Sequence, residues 1–323
     1  MDLYFELYSG IAGDMTIGAL LDLGASREKL EHALNSMDFG EYELVFERTL
    51  KKGIDAYNFD VLLKEGHHHN HEDHEHCHNH EGHEHCHNHE GHEHCHNHEG
   101  HEHHHNDENH EHCHNHEGHE HHYSHEEDVH CHNHENHEHH HIHEGHHVHR
   151  NLDDIIKIID SGDFSENAKK NAKKIFNIIA DAESIAHGVE KSEVHFHEVG
   201  AIDSIIDIVG VCVLIDDLNP EHIYSSELFE GVGFVKCAHG SMPVPAPAVL
   251  NIIRANNLSL NIINDYGEHI TPTGAAIIAC FSEGLPEESF KIKNIGIGAG
   301  NRDFENSTNI LRVMEIESAK KKL

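Results

Sequence analysis

The chain has 323 residues, with 59 Asp+Glu against 22 Lys+Arg, 46 His and a formal net charge of −37 at pH 7. So acidic a balance argues against nucleic acid and anionic membrane surfaces as partners, because few bases are left to build a basic face. No run of 18 apolar residues occurs, so no membrane-spanning helix is expected.

The start, Met1-Asp2-Leu3-Tyr4-Phe5-Glu6, lacks the basic region of a secretory signal, and a cytoplasmic location is expected. Residues 2–8 read as a short strand, and Ser9-Gly10-Ile11-Ala12-Gly13-Asp14 as a turn. Met15 to Leu23 reads as a helix closed by Gly24, and Ser26 as the cap of a second helix to Asn35. Residues 41–49 and 54–63 read as strands joined at Lys52-Gly53.

Composition then changes abruptly. Residues 67–149 hold 39 of the 46 His, 20 acids and 5 of the 8 Cys, without one Lys or Arg. Three spans follow: 1–66 and 150–323 as two parts of a folded domain, and 67–149 as an insertion in a surface loop. The nonapeptide HEHCHNHEG fills 74–82, 83–91, 92–100 and 110–118, with degenerate copies between and after. Almost nothing apolar is available to offset an ordering cost of ~1–2 kcal/mol per residue, so the metal-free tract is expected to be disordered. Imidazole at alternate positions, with thiols, suits nickel, zinc or copper; His76, Cys77, His78, His85, Cys86 and His87 typify the ligands. Thiols scattered among histidines suit a reducing compartment better than a disulfide framework.

Beyond the tract, Asn151 or Asp153 caps a helix to Ile159, and Ser165 a longer one to about His187. Residues 200–218, 246–255 and 273–282 read as helices, 229–236 and 290–299 as strands. The expected class is α/β or α+β, a mixed sheet with packed helices, interrupted by the disordered His-rich insertion.

Four segments carry candidate chemistry. Gly10 and Gly13 free backbone N–H groups at a helix start, suited to an anion such as phosphate; Asp14 there serves as a cation ligand or a helix cap. His195-Phe196-His197-Glu198 places two imidazoles on one side of an extended segment, followed by Asp203 and, one helical turn on, Asp207. Cys237 and His239 precede Met242-Pro243-Val244-Pro245-Ala246-Pro247, whose alternate prolines stiffen the chain. Thr271-Pro272-Thr273-Gly274 starts a helix with exposed N–H groups. Gly296 to Gly300 opens no helix and fails as a dinucleotide fingerprint, leaving Arg302 as an anion clamp or a plain surface residue. Cys212 and Cys280 sit in apolar helical runs and read as core.

Taken in order, SGIAGDM with GALLDLG, HFHEVGAIDSIIDIVG, GFVKCAHGSMPVPAPA, TPTGAA and GIGAGNRD followed by NILRVM resemble the nickel insertion proteins that mature the nickel-pincer nucleotide cofactor of lactate racemase. The resemblance implies a CTP-dependent cyclometallase, a lyase of the metal-chelatase type. It would place nickel in pyridinium-3,5-bisthiocarboxylic acid mononucleotide through Ni–S bonds and one Ni–C bond. It also implies CTP with a divalent metal as cofactor, bound by a further C-terminal domain. Here the chain ends Ser318-Ala319-Lys320-Lys321-Lys322-Leu323, and that domain is expected to be separately encoded or reached by frameshifting on A-rich lysine codons.

On chemical grounds the tract is the nickel reservoir, and His195, His197, Glu198 and His239 the transfer site, with Cys237 the softer ligand. Asp203 or Asp207 orients a histidine or takes the ring proton, with Glu198 in the same acid–base group. Gly10, Gly13, Asp14 and Thr273 contact the nucleotide. Two alternatives stay open: a non-catalytic nickel store or metallochaperone, and a different metal-dependent enzyme whose tract buffers zinc.

Overall fold

The computed structural model divides into two units, Met1–Lys64 with His146–Leu323, and Glu65–Gly145. In the first it describes residues 1–38, 40–63, 150–194, 196, 202–237 and 240–318; in the second, backbone segments 76–89, 92–105, 112–113 and 130–131 without side chains. The side chains of His76, Cys77, His78, His85, Cys86 and His87, and most of the insertion where disorder is expected, lie outside the described residues.

A six-stranded mixed sheet organises the first unit. Its order is Tyr42–Lys51, Ile54–Leu63, Phe290–Ala299, Ile310–Ser318, Asp2–Glu6, His222–Ser225. The pairs 54–63 with 290–299 and 2–6 with 222–225 are parallel; the others are antiparallel. The side-chain period of two divides the faces. Leu3, Phe5, Phe59, Leu311 and Val313 turn into the main core with the helices, while Tyr4, Met314 and Ile316 form a small cluster apart from it.

Helix Gly13–Leu23 crosses the sheet at very close range because Gly296 and Gly298 present no side chain to it. A Cβ at either would run into the backbone of Ala19 or Met15. Gly24 closes this helix in the left-handed region at φ 117°. Ser26, Asn151 and Ser165 cap the helices Arg27–Asn35, Leu152–Ser161 and Glu166–His187, each accepting the N–H three residues on. Helix Ile202–Leu218 is buried at Ile205, Ile206 and from Ile208 to Ile215, its apolar run interrupted by the half-buried Asp207.

The single strand expected at 229–236 is two. Gly233 breaks it at φ 102°. Leu228–Val232 then pairs in parallel with Leu260–Tyr266, whereas Phe234–Cys237 forms an antiparallel hairpin with Gly240–Pro243. Cys212 is fully buried; Cys280 is only half-buried at the core margin, so the core reading is too strong for it. Among the described residues no helix is long and apolar enough to cross a membrane.

Candidate functional site

The Ser9–Asp14 turn connects the sheet's Asp2–Glu6 strand to helix Gly13–Leu23. Its path is set by a segment far away in the chain. Ile11 N–H donates to the His269 carbonyl at 2.9 Å, and Thr271 N–H donates to the Ile11 carbonyl at 3.1 Å. Gly10, at φ +88°, is pressed against His269, and a Cβ there would overlap that residue's carbonyl. Helix Pro272–Phe281 starts at once, capped by Thr271, whose Oγ1 accepts the Gly274 N–H at 3.1 Å. The two helix starts thus lie against one turn, and each contributes the partial positive charge of a helix N-terminus.

Helix Ile202–Leu218 brings a carboxylate to this place. Asp207 lies against Gly13, where a Cβ would collide with its side chain, and it accepts the Asp14 backbone N–H. Burial drives the Asp207 carboxyl well above the usual carboxylate range, and the charges of Asp14 and Asp203 add to this. Burial and the Asp60 charge likewise raise Asp14 to about 6, against backbone hydrogen bonds and the pull of Arg302. Asp14 Oδ1 accepts the Met15 N–H at 2.8 Å, but Asp14 lies inside the first turn, and the N-cap position is Ala12, which has no side-chain cap hydrogen bond, so Asp14 is not the helix cap that its place in the sequence allowed. Asp203 is exposed, so the two aspartates that share a helix face in sequence have different surroundings.

Beneath the turn lies a polar group that the sequence reading missed. Glu230 and His269 have fully buried side chains, and that of Asp265 is almost so. Glu230 accepts three backbone N–H groups, from His269 at 2.6 Å, Gly231 at 2.8 Å and Ile270 at 3.3 Å. Burial still lifts its carboxyl to about 7, with the charge of Glu268 contributing. The His269 ring stacks on Phe304 at 3.8 Å; Nδ1 faces the Gly267 carbonyl, and Nε2 faces Asp265 at 3.3 Å and Ser307 Oγ at 3.1 Å. Burial pushes Asp265 up, but hydrogen bonds from Ser307, Asn306 and His269 outweigh it and hold the carboxyl below its ordinary value. Only the tertiary pairing of strands 228–232 and 260–266 joins these residues; the position of His269 just before the TPTG motif was the one local hint.

Of the expected site residues, Gly10, Gly13, Asp14 and Asp207 meet at the turn, and Thr273 lies buried in the first turn of the neighbouring helix. His195, His197, Glu198 and His239 lie outside the described residues. Cys237 is half-buried on the Phe234–Pro243 hairpin. Arg302 ion-pairs with Glu268 at 3.1 Å. Among the described residues no group of three or more His, Cys, Asp or Glu is placed to hold a metal ion.

Comparison with known proteins gives a match to the nickel insertion protein family over residues 3–323. The chain is 42% identical over 317 residues to the pyridinium-3,5-bisthiocarboxylic acid mononucleotide nickel insertion protein of Alkaliphilus metalliredigens, covering 98% of this chain and 60% of that one. Its identity to the proteins of the same description is 40% over 319 residues for Clostridium acetobutylicum and 34% over 317 residues for Geobacillus kaustophilus. Coverage is 96% of this chain and 63% of the former, and 97% of this chain and 59% of the latter. The chain spans about 60% of the length of these curated relatives. No solved structure matches.

Proposed function

The chain belongs to the nickel insertion protein family, and from that premise we propose that it takes part in inserting nickel into pyridinium-3,5-bisthiocarboxylic acid mononucleotide. Nickel is the substrate metal, and the product is the nickel-pincer nucleotide. The observation that carries the reading, besides the match itself, is the meeting of two helix starts and the Asp14–Asp207 pair at one turn.

The chemistry asks for three things: donors for a phosphate, ligands that release nickel to two sulfurs, and a base for the ring proton that the Ni–C bond replaces. Helix starts at Gly13 and Pro272 suit the phosphate, with Gly10, Gly13 and Thr273 as its contacts. His195, His197, Glu198, His239 and Cys237 are the transfer ligands: imidazoles that suit nickel, with Glu198 a harder and Cys237 a softer donor beside them. Asp207, whose carboxyl burial raises well above the usual carboxylate range, takes the ring proton. The tract supplies nickel from a reservoir of neutral imidazoles. CTP and its divalent metal, implied by the resemblance, belong in this reading to a further C-terminal domain; the chain spans 60% of the length of the Alkaliphilus relative. The free thiols Cys212, Cys237 and Cys280 suit a reducing compartment such as the cytoplasm.

The test is cofactor formation from nickel and the mononucleotide, with and without CTP, by this chain alone and by a longer product carrying the relatives' remaining length. Nickel uptake without mononucleotide binding in either form would leave a nickel store as the correct description.

A further inference from the structure

We propose that Cys237 and Met242 form a two-sulfur nickel site on the Phe234–Pro243 hairpin, with the Met242 thioether a ligand in its own right. This rests on the reading that nickel is the cargo, and it adds a ligand to the transfer site.

The hairpin register sets the pair. Val235 lies opposite Met242 and Cys237 opposite Gly240. Side chains two residues apart share a face of a strand, so Cys237 and Met242 are diagonal neighbours on one face. Gly240 at the intervening position leaves room for them. Cys237 Sγ comes within 3.1 Å of Met242 Sδ and 3.4 Å of the Gly240 carbonyl, and both residues are half-buried.

The sulfurs are close enough to share a metal. Two sulfurs each about 2.3 Å from one metal stand about 3.3 Å apart at a right angle and about 3.8 Å apart at a tetrahedral angle. Cys237 Sγ already stands 3.1 Å from Met242 Sδ, so both sulfurs reach one metal with only a small separation of the pair. Thiolate and thioether are soft donors that magnesium and calcium avoid, so the pair filters cations by type. Binding is a ligand exchange without redox change: the Cys237 S–H bond breaks, its proton goes to solvent, and S–Ni forms, while the thioether donates a lone pair and loses nothing. Pro243 and Pro245 follow directly and limit how far Met242 can swing away.

The experiment uses the full chain, with nickel ion alone as probe, added until uptake by the whole protein stops. Alkylation of Cys237 by iodoacetamide and oxidation of Met242 by peroxide are read residue by residue from peptide masses, which separates them from the tract. In the wild type, nickel slows both; a loss of about tenfold or more in that protection is expected for Cys237 in Met242→Leu. Cys212, fully buried, reports folding by staying unreactive in the variant. Equal Cys237 or Met242 reactivity with and without nickel overturns the proposal. So does unchanged protection of Cys237 in Met242→Leu, which would mean occlusion rather than ligation. Cofactor formation is measured separately: protection without any cofactor formation leaves the site standing and removes the proposed reaction, and the reverse removes the site alone.

Discussion

Ile11 and Ile270 form an isolated parallel bridge, and through it two helix starts from opposite ends of the sequence share one turn. The bridge depends on a backbone approach that only glycine allows at position 10. Buried Glu230 stands behind it, fixing the N–H groups of His269 and Ile270. The phosphate contacts proposed at the turn therefore rely on residues that touch no substrate.

Gly10→Ala tests that reliance. Its φ of +88° is in the left-handed region and its added Cβ meets the His269 carbonyl, so strain and overlap act together. A loss of about 2 kcal/mol or more is expected, read as a lower urea midpoint at unchanged m-value. A midpoint equal to wild type would mean that the two segments do not approach as closely as described.

Asp207→Asn separates stability from chemistry. It removes a carboxyl that burial and the charges of Asp14 and Asp203 all work against. Stability at pH 8 should rise by about 1 kcal/mol, while cofactor formation in the longer protein falls by about 100-fold, the usual worth of a general base. Full activity in a folded variant would remove Asp207 from the proton transfer.

The buried acids predict a pH trend. Folding raises Asp14 from an ordinary 3.8 to about 6 and Glu230 from 4.5 to about 7. The native state thus keeps protons that the unfolded chain has already released. Their contribution is full below the ordinary values and is lost as pH rises through about 6 and then 7. Urea unfolding should show lower stability at pH 8 than at pH 5, and Glu230→Gln should flatten the slope. The depressed Asp265 and Asp217 act in the opposite sense, but below the ordinary carboxylate range. Stability that climbs between pH 5 and pH 8 would contradict the trend.

Nickel held by the tract should leave as its histidines protonate, through about pH 6.5. Equilibrium dialysis against a pH series measures this directly. Retention of the bulk of the metal at pH 4.5 would show that imidazole is not the main donor.

How much of this was legible in the residues depends on how local each signal is. The repeat, its ligand chemistry and its lack of apolar content are properties of composition, and no fold is needed to read them. Helix ends were also written locally: Ser26, Asn151, Ser165 and Gly24 cap where their side chains or φ freedom place them. The ordered motifs identified the family for the same reason, since each is a short run of neighbours. Short strands such as His222–Ser225 and Leu260–Tyr266 were invisible because a partner strand, not propensity, makes them strands. The buried Glu230–His269–Asp265 group was missed because a lone Glu in an apolar strand and a lone His in a turn mean little until a sheet pairs them. Asp203 and Asp207 looked alike one helical turn apart; only the packing of their helix against Gly13 left one in solvent and took the other inside. Sequence determines what each segment is able to do alone, whereas which charges lose their water is decided by contacts between residues hundreds of positions apart.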